Sequence, residues 1–448
     1  MQADAMTTNQ MTGAEAMVRM LSAHGVTHMF GLCGDTTLPF YDAMARMDHG
    51  IRHILTRDER HAAYRADGYA RVTGKPGVCE GPSGGGATYI LPGVVEANES
   101  SIPILAITSD VATTPRGRYP LTELDQVALF RPLTKWNASL DQASRLPAML
   151  RKAFRAMTTG RPGAVHLALP FDTQKAPVDS SEIWADPRHR TFAAQPAAPD
   201  LQAVQAMADV LARARSAVIV CGGGPVIAGA FDAWARVATL LDVPVANTVS
   251  GQGAIAETHC QALGVVGSNG GNPATRAVVD AADVVLFVGC RAGSVTTERW
   301  RSPAPNATIL HIDSDPMVTG ANYATEVAIN ADARLALQAL ADALETRPCA
   351  PQGGAARARA AWDAKLAGFA PLAASHETPV RPERVIDTCN ACSMMTPSWW
   401  PIPARLAPMS ALIIAGASRG GTSSSTARMA RLAMRWRRRW GRMSGGPM

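Results

Sequence analysis

The feature that most constrains the fold of this 448-residue chain is an alternation of helix-like and strand-like segments that runs through the sequence twice. In the first pass, an amphipathic helical pattern at 13–25 precedes apolar runs at 27–32, 102–110 and 163–170, with further helical patterns between them. Short apolar runs separated by helical patterns indicate parallel strands joined by crossover helices. We therefore predict a doubly wound parallel-sheet domain over residues 12–185.

The second pass begins after a stretch rich in alanine and proline at 185–200, which we interpret as a domain boundary. Helical patterns at 201–214, 230–242 and 331–345 alternate with apolar runs, and the combination predicts a Rossmann-like domain over 198–346. The predicted fold class is thus α/β, with two consecutive doubly wound parallel-sheet domains. Residues 347–388 are predicted to be a linker and the start of a remnant third domain, and 389–448 an out-of-frame, disordered tail.

Charge is distributed unevenly along the chain. The formal net charge is +6, but the segment after Thr388 holds nine arginines and no acidic residue, so the rest of the chain is mildly acidic. A mildly acidic body gives no reason to expect a nucleic-acid partner. No apolar run approaches the roughly eighteen residues that a membrane span needs, and no leader sequence is evident. The eight cysteines are scattered, as is typical of reduced thiols. We therefore expect a cytoplasmic protein without a membrane partner.

The most informative stretch is the helical pattern that Glu59 opens. Small residues recur on one face of it, and such a face lets another helix approach closely (Ala62, Ala63, Ala66 and Ala70). A carboxylate at the start of a closely packed face would be partly desolvated, and its affinity for a proton would rise. The alternative is structural: Thr56 and Glu59 would form a capping box at an ordinary helix start.

The stretch from Glu59 to Arg71, with Ala62-Ala63 and then ADGYAR, resembles the catalytic-glutamate helix of the thiamine diphosphate enzymes related to acetolactate synthase. Four further stretches resemble the same family in the same order (30–44, 81–88, 101–110 and 121–137). The resemblance covers about the first 345 residues. It implies a pyrimidine-binding domain followed by a central domain.

The resemblance also implies a function. In this family the glutamate hydrogen-bonds N1′ of the cofactor's aminopyrimidine and favours the tautomer that removes the proton from thiazolium C2. We assign this catalytic role to Glu59. The implied chemistry is decarboxylation and carboligation of a small 2-oxo acid, with the site between two subunits of a homodimer or tetramer. Another thiamine-dependent decarboxylase or lyase is the alternative activity.

Two glycine turns are predicted to approach the cofactor. The first contains Gly31, Gly34 and Asp35, and the second contains Ser83, Gly84 and Gly85. The alternative is that these glycines only make tight turns. On the substrate side, Thr122 and Glu123 stand where acetolactate synthases usually have Gln-Glu. Because that glutamine lines the substrate site of the family, Thr122 argues against a standard acetolactate synthase.

The central domain carries a further candidate site for a nucleotide. Its candidate residues for FAD are Gly222, Gly223, Arg291 and Asp313. The glycine turn lacks the spacing of a dinucleotide fingerprint. In the family, a run of acidic residues and an arginine usually follows the motif that contains Arg291, and this run is absent here. FAD remains a candidate cofactor, but we favour a central domain that serves as an empty spacer.

The family's metal motif, Gly-Asp-Gly followed by an asparagine about thirty residues later, has no match, so we assign no metal ligand in this chain. The tail suggests a reason. Codons for 394–413 read from their third base permit DDDAVVVADPGTPCPYVSAHY, and the same frame at 423–436 permits VIINRAHGALGYAL; both resemble the third domain. The sequence thus predicts a frameshift near Thr388, with Cys389 and Cys392 as products of the shifted frame.

A frameshifted chain has functional consequences. We expect the chain alone neither to bind the cofactor tightly nor to turn over. A non-catalytic partner that donates Glu59 to a complete paralogue is the alternative. A different interpretation of the arginine-rich segment at 430–443 is a basic amphipathic element for an anionic membrane or RNA.

Overall fold

A computed structural model of the protein describes residues 9–393. The chain divides between Gln195 and Pro196 into two compact units. The predictions about residues 394–448, including the frameshift product and the arginine-rich segment, lie outside the described residues. Among the residues described, no helix is long and apolar enough to cross a bilayer.

The first unit alternates strands and helices throughout. Its elements are β1 (Gln10–Thr12), α1 (Gly13–Ala23), β2 (His28–Gly31), α2 (Leu38–Arg46), β3 (Arg52–Leu55), α3 (Glu59–Thr73), β4 (Gly77–Gly81), α4 (Gly85–Tyr89), α5 (Leu91–Glu99), β5 (Ile104–Asp110), α6 (Gln126–Phe130), β6 (Trp136–Ser139), α7 (Leu146–Thr158), β7 (Val165–Pro170) and β8 (Pro177–Asp179).

Six of these strands form a sheet in the order β3-β2-β4-β5-β7-β6, and all of its pairings are parallel. The central strands β4, β5 and β7 are buried at every position, as expected for strands covered by helices on both faces. The chain leaves β2 toward β3 on one side and reaches β4 on the other. Ligands of open parallel sheets bind at such a switch point, beyond the carboxyl ends of the strands.

The small-residue face predicted for α3 is packed as expected. Ala62, Ala63, Ala66 and Ala70 are fully buried. A Cβ added to Gly93 of α5 would lie 2.5 Å from the Cβ of Ala63, so the two helices touch backbone to backbone. This close packing fixes α3, and Glu59 at its start, against the sheet.

The second unit has the same architecture. Its elements are α8 (Leu201–Arg213), β9 (Val218–Cys221), α9 (Gly224–Ile227), α10 (Phe231–Leu241), β10 (Val245–Asn247), β11 (Ala262–Val265), α11 (Pro273–Asp280), β12 (Val284–Val288), β13 (Thr308–Asp313), β14 (Val327–Asn330), α12 (Ala333–Glu345), α13 (Gly354–Ala373) and α14 (Pro382–Ser393).

The sheet order of this unit is β11-β10-β9-β12-β13-β14, all parallel, which is the Rossmann order. The predicted fold class, two successive α/β domains with parallel sheets, is confirmed. Residues 347–388, predicted as a linker and the start of a third domain, lie in this unit: Trp362 of α13 donates its indole N–H to the carbonyl of Ala262 at 2.8 Å. The tail predicted from residue 389 begins as the last turn of α14.

Candidate active site

Glu59 is the first residue of α3. The N-cap is Asp58, whose carboxylate accepts the Arg60 backbone N–H at 2.8 Å. The capping box proposed for Thr56 and Glu59 is therefore wrong, because the helix starts two residues too late for Thr56 to be its N-cap. Thr56 instead donates its backbone N–H and its hydroxyl to the carbonyl of Gly31, at 2.8 and 3.2 Å.

The Glu59 side chain lies in a place kept open by two glycines. Only 7% of the residue is exposed. A Cβ on Gly81 would lie 3.2 Å from Glu59 Cγ, and a Cβ on Gly86 would lie 3.2 Å from Glu59 Oε1. Within residues 9–388, whose side chains the structure describes, no hydrogen-bond donor engages this carboxylate. A buried acceptor without a protein partner is suited to receive a donor from a ligand.

The first predicted turn follows β2 and contacts the second turn. A Cβ on Gly34 would lie 2.5 Å from the Cβ of Pro82, so glycine is needed at 34 for the two turns to meet. Asp35 begins a single 3-10 turn and is exposed. A Cβ on Gly31 would collide with the side chain of Glu80, so the Glu80 carboxyl group fills the space that a side chain at position 31 would need.

The second predicted turn follows β4. Ser83 is 7% exposed, and its hydroxyl lies 3.1 Å from that of Thr36 and 2.7 Å from that of Thr122. The Thr36 hydroxyl lies 2.6 Å from that of Ser109, so a line of four hydroxyl groups crosses the strand ends. Gly85 starts α4, and a Cβ there would meet nothing within 4 Å.

Thr122 and Glu123, the pair predicted on the substrate side, make different contacts in the structure. Thr122 has a φ of +71°, a strained conformation for a β-branched residue, and contacts Gly84, whose own φ is +66°. A Cβ on Gly84 would lie 2.8 Å from that of Thr122. The Glu123 carboxylate accepts the backbone N–H of Gly117 at 2.7 Å, so it is engaged within the loop 117–123. The structure thus brings Thr122, and not the Glu123 carboxylate, to the glycine turns.

Several residues of this region were not predicted from the sequence. Gly81 and Gly86 frame Glu59, whereas the predicted Gly84 and Gly85 do not contact it. The stretch 81–88 was recognised, but only the packed structure shows which of its glycines face the carboxylate. Thr36 and the group formed by Tyr41, His53 and the buried Glu80 were missed as well, because no local pattern joins residues so far apart in sequence.

A ring that donates a hydrogen bond fits beside Glu59, because glycine at 81 and 86 leaves the buried, unpartnered carboxylate room that a side chain would fill. A metal-bound diphosphate has no such place in the described part of the chain. There, no group of three or more His, Cys, Asp or Glu residues could hold a metal ion.

The glycine turn of the second unit is built differently. A Cβ on Gly222 would lie 1.9 Å from the carbonyl oxygen of Gly289, and one on Gly224 would lie 2.5 Å from the Cα of Gly289. The N–H groups of Gly222 and Gly224 donate to the carbonyls of Val288 and Gly289, at 2.9 and 3.1 Å. The turn therefore packs directly on the loop that follows β12, and these two N–H groups are engaged by it.

The remaining FAD candidates lie at the same edge of that sheet. Arg291 is exposed, and its carbonyl accepts from the side-chain amide of Asn322 at 2.9 Å. Asp313 ends β13 and accepts the backbone N–H of Asp315 at 2.9 Å. Gly223 is in ordinary contact with Ser250, 3.6 Å from a Cβ position. A cradle for a pyrophosphate is not formed by the Gly222 and Gly224 amides, so the geometry does not fit a dinucleotide there.

Comparison with known proteins gives two family matches. "Thiamine pyrophosphate enzyme, N-terminal TPP binding domain" matches residues 11–129, and "Thiamine pyrophosphate enzyme, central domain" matches residues 204–340. These matches confirm the resemblance that the sequence motifs indicated, and the first of them contains Glu59 and both glycine turns.

Similar proteins agree with the family matches. A "Probable acetolactate synthase large subunit" of Methanocaldococcus jannaschii is 40% identical over 336 residues, which are 75% of this chain and 56% of that protein. Its counterpart from Methanococcus aeolicus is 39% identical over 329 residues (73% and 54%). The large subunit of acetolactate synthase isozyme 3 from Escherichia coli is 35% identical over 335 residues (75% and 58%). The chain spans about half the length of the curated relatives it matches.

Proposed function

Because the chain belongs to the thiamine pyrophosphate enzyme family, whose N-terminal and central domains it carries, we propose that it serves thiamine diphosphate-dependent chemistry on 2-oxo acids, of the acetolactate synthase type. Glu59 is the proposed catalytic residue. The observation that supports this most is the surroundings of Glu59: a buried carboxylate, bordered by Gly81 and Gly86, without a hydrogen-bond donor among the described residues.

The chain's own residues would act through position and proton transfer. Glu59 would give a proton to the aminopyrimidine nitrogen N1′, accept the hydrogen bond of the N1′–H group so formed, and later take the proton back. The close packing of α3 on α5 holds the start of α3, and with it the backbone of Glu59, in place. Gly81 and Gly86 let the ring approach, since a methyl group at either position would press on the glutamate. When bound, the cofactor supplies a carbon nucleophile and accepts the electrons released as CO₂ leaves.

The binding of the diphosphate would come from elsewhere in the assembly, because residues 9–388 offer no acidic cluster for its metal. We propose that a second subunit faces the Glu59 edge of the sheet, so that the first unit contributes half of a shared site. Thr122 would border the substrate through its contact with the second glycine turn. A threonine there is shorter than glutamine, which leaves room for 2-oxo acids other than pyruvate.

The test is complementation in trans. The full chain is mixed with a complete acetolactate synthase large subunit whose own catalytic glutamate is replaced by glutamine, and product formation from pyruvate and from larger 2-oxo acids is measured. We expect activity with the native chain and a loss of at least about a hundredfold with Glu59→Gln, the range of a lost general acid–base. Equal activity of the two chains would contradict the assignment of Glu59.

A further arm of the same assay tests the chain alone. With thiamine diphosphate and Mg²⁺ in excess, we expect no turnover, because residues 9–388 offer no acidic cluster for the metal that would hold the diphosphate. Turnover by the chain alone that disappears in Glu59→Gln would keep the role of Glu59 and contradict the shared site. Turnover that survives Glu59→Gln would contradict both.

A further inference from the structure

Strand β4 carries a buried carboxyl group, Glu80, for which the proposed function has no role. Only 1% of the residue is exposed. Its Oε1 accepts the Tyr41 hydroxyl and lies 3.5 Å from His53 Nε2, while Oε2 is buried without a hydrogen-bond partner in the described part of the chain. A half-satisfied buried carboxyl is unfavourable by itself, so its presence at a candidate active site calls for an explanation.

The group formed by Glu80, Tyr41 and His53 connects three elements of the first unit. Tyr41 lies on α2, His53 on β3 and Glu80 on β4, and the Tyr41 oxygen is 3.0 Å from His53 Nε2. Because the Tyr41 hydroxyl gives its single proton to Glu80, its oxygen accepts from His53, and Nε2 of that ring carries a proton. We call this group the Glu80 clasp.

One path leads from the clasp to Glu59 through Gly31. Oε1 of Glu80 lies 1.8 Å from the position that a Gly31 Cβ would take, so the carboxyl group rests directly on the backbone of that glycine. The carbonyl of Gly31 accepts both the N–H and the hydroxyl of Thr56. Thr56 is three residues before Glu59, so the position of Gly31 determines where the chain enters α3.

A second path runs along β4 itself. Gly81 follows Glu80, and successive residues of a strand face opposite sides of the sheet. Glu80 therefore faces α2, while the Cβ position of Gly81 faces Glu59 and lies 3.2 Å from its Cγ. A shift of β4 at Glu80 would move the surface on which Glu59 rests.

We propose that Glu80, held by Tyr41 and His53, is the positioning residue of this site, which fixes the backbone at Gly31 and Gly81 and thereby the place of the Glu59 carboxylate. The catalytic meaning of that place rests on the proposed function, but the positioning does not. Besides Tyr41 and His53, the ionisable groups near Glu80 are Glu59, the adjacent Cys79, and Cys33, which faces Tyr41. Burial raises the pKa of the Glu80 carboxyl, and the charge of Glu59 raises it further, which is consistent with two neighbouring carboxyl groups.

Amide hydrogen exchange of the full chain, without cofactor or substrate, tests the proposal. The Thr56 amide is the reporter, because its partner is the Gly31 carbonyl. In Glu80→Ala we expect its exchange to accelerate by about tenfold or more, since local opening governs such rates. In Glu80→Gln, whose amide oxygen can still accept from the Tyr41 hydroxyl, we expect a change of less than about threefold. Tyr41→Phe should lie between them and keeps the test informative if Glu80→Ala does not fold.

Thr158→Val is the matched control. Its hydroxyl bonds the buried His189 at 2.9 Å in the same unit, so the variant also breaks a buried polar pair, without touching the Glu80 clasp. We expect unchanged exchange at Thr56 in this variant. Unchanged exchange in Glu80→Ala and Tyr41→Phe, equal acceleration in Thr158→Val, or failure of Glu80→Gln to restore protection would each overturn the proposal. None of these outcomes depends on whether the chain uses thiamine diphosphate, so the two proposals fail separately.

Discussion

Both units have a glycine-rich turn beside the point where the strand order of their parallel sheet reverses, after β4 in the first unit and after β9 in the second. The two turns differ in what occupies the space that a side chain would fill. In the first unit, Gly81 and Gly86 border a buried carboxylate. In the second unit, Gly222 and Gly224 border the backbone of Gly289. Glycine at a strand end therefore does not by itself indicate a ligand. The useful question is whether a Cβ there would meet an unpartnered polar side chain or another stretch of main chain.

The largest expected effect comes from the second unit. Gly222→Ala would place a methyl group 1.9 Å from the Gly289 oxygen, and neither backbone can yield. We expect a loss of about 3 kcal/mol in the free energy of unfolding, the upper part of the range for overpacking. Urea denaturation of the full chain measures it. The control is Gly223→Ala, where the nearest contact is an ordinary 3.6 Å and φ is −71°, so the change should be within about 1 kcal/mol. Equal losses in both variants would contradict the backbone contact.

A smaller loss of stability is expected in the first unit. Gly86→Ala would press on the ring of Pro82 at 2.5 Å and on Glu59 Oε1 at 3.2 Å, and side chains can shift where backbone cannot. We expect a loss of about 1–2 kcal/mol in the free energy of unfolding. Activity in the complementation assay should fall at least about tenfold, because Glu59 is displaced.

The control for this prediction is the neighbouring glycine. A Cβ on Gly85 meets nothing within 4 Å, so Gly85→Ala should not measurably lower the free energy of unfolding. If Gly85→Ala were as damaging as Gly86→Ala, the pocket around Glu59 would not be the one that matters.

A pH effect of similar size is expected at Glu257, a half-buried carboxyl group of the second unit. Burial raises its pKa from 4.5 to about 7, and the charge of Lys365 opposes that rise. Because the folded chain then holds the proton more tightly than the unfolded chain, this group stabilises the fold fully below about pH 4.5, and the contribution is lost as pH rises toward 7. Denaturation at several pH values should show a fall on the order of 1–2 kcal/mol across this window that is absent in Glu257→Gln. The same slope in both proteins would assign it to other groups.

The elements that the sequence predicted best are those with a strong hydrophobic periodicity. The apolar strands β5 and β7 and the helices α1, α3, α8, α10 and α12 lie where the patterns place them. The half-exposed edge strands β3, β6 and β14 were not predicted, because four residues open to solvent on one side carry little hydrophobic signal. Their places come from pairing with a neighbouring strand, which is a tertiary property.

The site was predictable to a similar extent. Glu59 and the stretch 81–88 carry a local pattern, so the sequence indicates them. The Glu80 clasp joins residues 41, 53 and 80, and the hydroxyl line joins 36, 83, 109 and 122. Such contacts arise only when the strand order brings these segments together. The error about a capping box at Thr56 has the same origin, since the Thr56 hydroxyl donates to the carbonyl of Gly31 at the end of β2.

The most direct test of the central claim is the carboxyl resonance of Glu59. The full chain is labelled with ¹³C at the glutamate carboxyl carbons, Glu59 is assigned by its loss in Glu59→Gln, and thiamine diphosphate with Mg²⁺ is added up to about 10 mM, enough to detect weak binding. We expect the Glu59 resonance to shift while that of Glu257 in the second unit stays in place. A Glu59 resonance that stays in place throughout the titration, or a response confined to Glu257, would contradict the role proposed for Glu59.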